Sequence, residues 1–152
     1  SGQAWHWIAP EVRYVAARAA LEDGGGLAAF WNMPDWATCD LRHELGDVYR
    51  RHGRDGVLDD PMNPATRPGD ENWATEIADA SGFAAGEVHR YRWNRDYATL
   101  EYLDLLRTHS PCLVLAPRER DALLADIGAA IDANGGSFRM RFVTLLGLAR
   151  AV

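Results

Sequence analysis

The stretch that decides the fold is GGGLAAFWN, residues 24–32. Three glycines follow a helical pattern, and an uninterrupted apolar run from Leu27 to Trp31 comes next. A strand that is apolar on both faces is typical of a sheet covered by helices on both sides. Gly24 fits the left-handed conformation that closes a helix, and the next two glycines allow a tight turn. We therefore predict a strand over 27–31 that is buried on both faces and follows a helix.

The glycine run also raises the alternative of a phosphate-binding loop. Such a loop follows a strand and opens a helix, so that backbone N–H groups at the start of the helix face the phosphate. Here the order is helix, glycines, strand. The sequence therefore favours a structural role for the glycines.

Composition restricts the class of protein. The chain has 152 residues, of which 47% are hydrophobic and 25% charged, as is typical of one globular domain. Its formal net charge is -6, so the chain lacks the surplus of Lys and Arg on which nucleic-acid binding depends. Cys39 and Cys112 are too few for a disulfide framework, and no apolar run approaches the roughly 20 residues of a membrane span. We expect no nucleic-acid partner, no membrane contact and a cytoplasmic location.

The first half of the chain predicts two helices, a loop and a third, shorter helix. Pro10 opens the first helix, where its missing N–H costs nothing. Asp35 is predicted to cap a second helix that runs to Gly53, followed by a loop over 54–70 and a helix over 72–80 closed by Gly82. We interpret 33–82 as a cap or insertion over one end of the sheet. The apolar face of the first helix, predicted to lie against the sheet, consists of Val12, Val15, Ala16 and Ala19.

The second half predicts two further strands separated by helices. The aromatic and β-branched stretch 87–93 indicates a strand. The leucines at 100, 103 and 106 indicate a helix that ends near Thr108, and Pro117 marks the start of a further helix that stops at Gly135. In the last strand, side chains alternate up to Phe142 and turn apolar from Val143 onward. Because continuous apolar character suits a central strand, we predict the sheet order 27–31, 137–149, 86–93, with the last strand antiparallel to both neighbours.

The five histidines do not predict a metal site. His43 and His52 are nine residues apart, which places them about 180° apart on a helix. The remaining three, His6, His89 and His109, lie on separate elements without the spacing of paired ligands. We therefore expect no metal.

Several segments together resemble the second half of the class I S-adenosylmethionine-dependent methyltransferases, in particular the small-molecule "type 11" branch. GQAWHW at 2–7 is similar to the stretch after that family's fourth strand, and the glycine turn with LAAFWN at 27–32 to its fifth strand. Residues 88–93 resemble the sixth strand of that family, and YLDLLRTHS at 102–110 resembles the helix after it. Residues 131–150 resemble the antiparallel seventh strand. The likeness covers nearly the whole chain.

The resemblance implies a three-layer α/β, Rossmann-like methyltransferase fold that is truncated, with a short mixed sheet ending in an antiparallel strand. The family's glycine-rich loop after the first strand and the acidic residue after the second have no counterpart here. Residues 1–152 are thus expected to be the C-terminal part of one domain, with the N-terminal half that cradles the cofactor absent. The complete enzyme would use S-adenosylmethionine to methylate a small-molecule acceptor, whereas this chain alone is expected to be inactive.

The resemblance also suggests site residues. The match at 3–6 implies cofactor binding by Gln3, Ala4, Trp5 and His6, with plain packing as the alternative. A general base is optional in this family; the candidates are His6 and His109. Apart from the resemblance, Trp31 lies at the end of a predicted strand, where open α/β sheets bind ligands. The predicted substrate-binding residues are Trp31, Asn32 and Tyr97.

The alternative function is a non-catalytic, truncated methyltransferase-fold module that pairs with other proteins. Strand 27–31 would lack its fourth-strand neighbour, and an unpaired apolar edge promotes association. Three outcomes stay open: pairing in a homo-oligomer, pairing with a separate N-terminal half, or residues 1–8 folding back over the edge. Val12, Val15 and Ala19 would be partly uncovered in the same way.

Overall fold

The computed structural model describes residues 1–59, 73, 76–77 and 79–152. The chain divides into two compact units. Unit 1 comprises Ser1–Pro34, Pro64–Trp93 and Phe142–Val152, and unit 2 comprises Asp35–Asn63 and Asn94–Arg141. The segment 33–82, interpreted from the sequence as one cap, therefore contributes to both units.

The α-helices are α1 (Pro10–Ala19), α2 (Arg42–Arg51), α3 (Thr99–Arg107), α4 (Ser110–Leu113) and α5 (Pro117–Ala133). The strands are β1 (Gly26–Pro34), β2 (Glu87–Ala98) and β3 (Ser137–Arg150), and short 3-10 turns lie at Trp5–Trp7, Trp36–Thr38 and Val57–Asp59. Of the predicted loop over 54–70, residues 60–70 lie outside the described residues. Of the predicted helix over 72–80, residues 73, 76, 77 and 79 are helical and residues 72, 74, 75 and 78 lie outside the described residues.

The three strands form one sheet in the order β1-β3-β2, as predicted. β1 and β3 pair antiparallel, from Gly26 opposite Arg150 to Pro34 opposite Phe142. The sheet is antiparallel and not mixed as predicted, because β3 lies between the other two strands and runs opposite to both. The predicted position of the most continuously apolar strand at the centre is confirmed.

Side-chain contacts between β2 and β3 fit this antiparallel pairing. The Trp93 indole donates a hydrogen bond to Thr144 Oγ1 at 2.8 Å. Further along β2, Arg139 donates two hydrogen bonds to the Asp96 carboxylate, at 2.6 and 2.8 Å. Residue numbers thus fall along β3 as they rise along β2, which is the pattern of antiparallel strands.

The outer edge of β1 is occupied by the first residues of the chain. Gly2 forms a parallel bridge with Phe30. Gln3 N donates to Phe30 O and Phe30 N donates to Ser1 O, both at 2.9 Å. Of the three outcomes left open by the sequence, the structure shows the third, in which the N-terminal residues fold back over this edge.

β1 is buried on one face only. Leu27 and Ala29 are buried in a cluster with Trp73 and Ile77, whereas the alternate residues of β1 are exposed and Phe30 retains 39% of its accessible surface. The prediction that both faces are buried is therefore wrong for this strand. An apolar sequence permits burial on both faces, but burial also requires a layer of structure to cover the second face.

Helix α1 presents a different face to the interior from the one predicted. Arg13 and Tyr14 are buried, whereas Val12 and Val15 are 49% and 68% exposed. On the inward face the Arg13 guanidinium bonds the Glu76 carboxylate, and Tyr14 packs in the buried core cluster of unit 1. The prediction of a sheet-facing valine stripe is wrong, while the expectation that Val12 and Val15 are partly uncovered is confirmed.

Unit 2 is built on a helical core. Leu123, Ile127 and Ile131 on α5 are almost fully buried, and they lie on the face predicted for this helix. Gly135 and Gly136 have φ angles of +99° and +74°, so that the predicted glycine stop is confirmed.

The start of α2 and the buried side chains of α3 differ from the prediction. Asp35 precedes the short turn Trp36–Thr38 and makes no side-chain cap, and α2 begins later, at Arg42. Leu100 is exposed on α3, whereas Leu103 and Leu106 are buried.

The strand β3 buries alternate residues, as is usual for a strand with one covered face. Its buried side chains are Phe138 and Met140 in unit 2 and residues 143, 145 and 149 in unit 1.

Candidate functional site

Gln3 and Asn32, two of the predicted site residues, are joined by a pair of hydrogen bonds. Gln3 Nε2 donates to Asn32 O at 3.1 Å, and Asn32 N donates to Gln3 Oε1 at 3.2 Å. Gln3 has a φ of +52°, a left-handed conformation that is uncommon for a residue with a side chain. The two bonds hold this conformation and fix the chain entering the turn Trp5–Trp7 to β1.

His6 is held by the indole of Trp31. Trp31 Nε1 donates to His6 Nδ1 at 3.1 Å. Because an indole N–H is only a donor, His6 Nδ1 must be the unprotonated nitrogen and the neutral ring carries its proton on Nε2. In this geometry the exposed His6 side chain offers a hydrogen-bond donor at Nε2.

A second set of hydrogen bonds extends this site across the sheet. Thr144 Oγ1 donates to Asn32 Oδ1 at 2.7 Å, and the Trp93 indole donates to Thr144 Oγ1. Sequence reasoning missed Thr144 and Trp93. The signal was present, because Thr144 is the single polar residue between Val143 and Ala149 and lies opposite Asn32, the polar residue that follows Trp31.

The structure favours packing for Trp5, the most buried of the predicted cofactor-binding residues. Only 4% of Trp5 is exposed, and its ring meets Tyr14 and Trp73 edge to face, with centroids 5.2 and 5.8 Å apart. Burial, together with the hydrogen bond to Glu76, raises the pKa of Tyr14 to about 12. Ala4 is exposed, and its carbonyl accepts a hydrogen bond from Trp7 N at 3.0 Å.

Tyr97 and His109 belong to unit 2, whereas the other predicted site residues belong to unit 1. Tyr97 is buried against Tyr102 and Phe138, with ring centroids 5.6 and 6.1 Å away, and burial raises the pKa of its phenol. His109 precedes α4 and is exposed as a residue, although partial burial of its ring lowers the pKa of the imidazole. Its neutral form is therefore favoured at neutral pH.

Two classes of feature are not found among the described residues. No group of three His, Cys, Asp or Glu side chains in this part of the chain converges so as to hold a metal ion. No helix in the same residues has the length and apolar character to cross a membrane.

The residues at 3–6 fit S-adenosylmethionine poorly on their own. Both polar atoms of the Gln3 amide are bonded to the Asn32 backbone, and the Trp5 ring is packed in the core. His6 is exposed, and its Nε2 is a polar group of this stretch that a ligand can reach.

A scan of the sequence against protein-family models finds no match. A search of curated proteins finds no similar sequence. The strand order and the hydrogen-bonded residues at the edge of β1 are therefore the basis for considering a function.

Proposed function

We propose that the chain is the C-terminal portion of an S-adenosylmethionine-dependent methyltransferase that acts on a small-molecule acceptor. One observation carries the proposal: β3 lies antiparallel between β1 and β2, and Gly2 pairs parallel with the outer edge of β1. In the family that the sequence resembles, the antiparallel seventh strand lies between the fifth and sixth, and the fourth strand lies parallel on the far side of the fifth. The three-layer arrangement of that family is part of the proposal.

In this proposal the residues at 3–6 position ligands and do not perform covalent chemistry. Methyl transfer depends largely on alignment of the two reactants and exclusion of water, so a positioned donor is enough. The Gln3–Asn32 pair holds the turn Trp5–Trp7 against β1. Trp31 donates to Nδ1 of His6, so the ring carries its proton on Nε2, the nitrogen that does not face Trp31. His6 would then donate a hydrogen bond to a bound ligand, which is a different role from that of a general base.

The proposal predicts that the 152-residue chain alone does not bind the cofactor, since the family's glycine-rich loop and ribose-binding acid have no counterpart in it. Calorimetric titration with S-adenosylmethionine should give no measurable heat of binding for this chain. The full product of the gene should bind it if it carries those elements upstream, and His6→Ala should then weaken binding or turnover while its thermal unfolding is unchanged. Tight binding by the 152-residue chain, or none by a full product that carries those elements, would contradict the proposal.

A second candidate function is favoured by the exposed aromatic side chains of unit 1. Phe30, Tyr91 and Trp93 all lie on strands, and each keeps more than a third of its surface exposed. A non-catalytic module that pairs with another chain would use such a surface. Light scattering after size exclusion tests it: a stable oligomer that Trp93→Ser dissociates favours pairing, whereas a monomer at all concentrations contradicts pairing between copies.

A further inference from the structure

Unit 2 contains a cavity whose wall combines cationic and apolar side chains. The cavity has a volume of about 710 Å³ and lies between the loop after α2 and the start of α5. Arg54 and Arg118 line it, together with Val57, Leu115 and Leu123. A neighbouring cavity of about 380 Å³ shares Arg54 and Val57. Volumes in this range are typical of sites for small molecules.

The loop places Arg54 in a fixed position. Gly53 and Gly56, on either side of it, have φ angles of +67° and +77°, which allow two sharp turns within four residues. Arg54 N donates to Tyr49 O at 2.9 Å and Arg54 Nη1 donates to Pro111 O at 3.3 Å. Because the backbone and one end of the guanidinium are held, the remaining N–H groups are available without much further ordering of the side chain.

The guanidinium groups of Arg54 and Arg118 form no ion pair within the described residues. Neither Arg54 nor Arg118 has a carboxylate oxygen within 4.0 Å in that part of the chain, unlike Arg50, which pairs with Asp47 at 2.6 Å. Glu119 and His52 also line the cavity, and His52 Nε2 lies 2.9 Å from Asp126 Oδ2, so the ionisable groups of the wall are two guanidinium groups, one carboxylate and one imidazole that has its own acidic partner. In a protein of net charge -6 this is a local cationic surplus. Guanidinium groups bind carboxylates through paired, charge-assisted hydrogen bonds.

We propose that this cavity binds a small organic carboxylate. Arg54 and Arg118 would hold the carboxylate, and Val57, Leu115 and Ala122 would contact an apolar body. An inorganic anion would use the arginines but leave the apolar wall in water, and a neutral apolar molecule would leave both charges without a partner. The site does not depend on methyl transfer, since it is formed within unit 2 from residues of this chain.

Hexanoate, hexan-1-ol and inorganic phosphate are three probes that separate these contributions. In a titration followed by NMR of the arginine side-chain N–H groups, hexanoate should shift the signals of Arg54 and Arg118 and bind with a dissociation constant on the order of 1 mM. Hexan-1-ol and phosphate should each bind at least about tenfold more weakly, because each satisfies only part of the wall. Equal binding of either control, or no binding of hexanoate, would overturn the proposal.

Variants test the two arginines separately. Arg118→Gln should weaken hexanoate binding about tenfold, the effect of losing one charged hydrogen bond, and because Arg118 is exposed the variant should stay folded. Arg54→Gln should do the same and Arg54→Lys should recover part of the affinity. Arg51→Gln, on the exposed end of α2, is the matched control and should bind as the parent does. Unchanged binding in Arg118→Gln, or an equal loss in Arg51→Gln, would show that the cavity is not the site.

Discussion

The two units bury their apolar side chains to different extents. Most of the large hydrophobic residues that are exposed belong to unit 1. They lie near the N-terminus, on α1, on the strands and at the last residue, and they are Trp7, Ile8, Val12, Val15, Phe30, Tyr91, Trp93 and Val152. The corresponding set in the described part of unit 2 is Leu100, Leu113 and Val114. Unit 2 thus has a core closed by its own helices, whereas unit 1 keeps apolar surface of the kind that association normally covers.

The difference shows which unit buries its apolar side chains with its own elements. In unit 2, α5 lies against its neighbours through Leu123 and Ile127, which have lost nearly all contact with water. In unit 1, β1 has one covered face, and α1 turns an ion-paired arginine inward and its valines outward. A further layer on unit 1 would be consistent with the proposed place of this chain in a larger domain.

The largest expected effect comes from removing a core side chain of unit 2. Ile127→Ala should lower the free energy of unfolding by about 2–5 kcal/mol, because the residue is fully buried and its truncation removes apolar contacts and leaves a cavity. Val15→Ala in unit 1 should change it by less than about 0.5 kcal/mol. Urea denaturation of both variants measures the difference. Similar losses in the two variants would show that Val15 is covered in solution and that the comparison of the units does not hold.

A pair of glycine substitutions sharpens the comparison. A Cβ at Gly147 would lie 2.3 Å from Trp73 Cε2, so Gly147→Ala must displace the indole and should lower the free energy of unfolding by about 1–3 kcal/mol. A Cβ at Gly46 would lie 3.8 Å from Leu58 Cδ1, an ordinary contact. Gly46→Ala in α2 should therefore be neutral or stabilising by up to about 1 kcal/mol. Chemical denaturation reports both; a neutral Gly147→Ala would mean that Trp73 does not pack against β3.

Tyrosine ionisation should destabilise both units at high pH. The pKa of Tyr14 rises from the usual 10.0 to about 12, so the folded state binds a proton that the unfolded state has lost between these pH values. Stability from this group is complete below pH 10 and falls by up to about 1.4 kcal/mol per pH unit as the pH rises toward 12. Tyr49 in unit 2 has a raised pKa because it is buried, and the same sign applies. Tyr14→Phe and Tyr49→Phe should each flatten the dependence of the free energy of unfolding on pH, as measured by urea denaturation. An unchanged slope in Tyr14→Phe would contradict the raised pKa of Tyr14 in the folded state.

The smallest expected effect concerns the hydrogen bond between Trp31 and His6. Trp31→Phe removes the donor and should lower the free energy of unfolding by about 0.5–1.5 kcal/mol, the net value of one hydrogen bond. The sharper readout is nitrogen NMR of His6, which should show the proton on Nε2 in the parent and a mixture of both tautomers in the variant. His89→Gln, on β2, is the control and should leave the His6 signals unchanged. A parent His6 protonated on Nδ1 would contradict the geometry.

Much of the sheet could be predicted from the sequence, because its signals are local. The glycines at 24–26 mark the entry to β1, and the apolar run from Val143 identifies the central strand. The orientation of α1 could not be predicted, because periodicity treats Arg13 as a surface residue. Its partner, Glu76, lies 63 positions further along the chain, and no local pattern indicates that pairing.

The candidate site was only partly predictable, for the same reason. Gln3 and His6 were predicted from a resemblance and Trp31 from its place at a strand end, and in the structure these residues and Asn32 form hydrogen-bonded pairs. Arg54 and Arg118 carry no sequence signal at all. Each is an ordinary arginine beside a turn or a helix start, and it is the fold of unit 2 that lines one cavity with both.

The hydrogen bond between Thr144 and Asn32 has a consequence for strand alignment. LAAF in β1 and LLGLA in β3 are apolar throughout, so the apolar run alone does not set their alignment. A slip by one residue would set the Asn32 amide against Val143 or Leu145 and leave its oxygen without the Thr144 hydroxyl, and it would turn every side chain of β1 to the other face. The polar pair on one face of the sheet, together with Gly147 against the Trp73 indole on the other, thus gives the two strands a single alignment, at the cost of placing an amide in an apolar sheet.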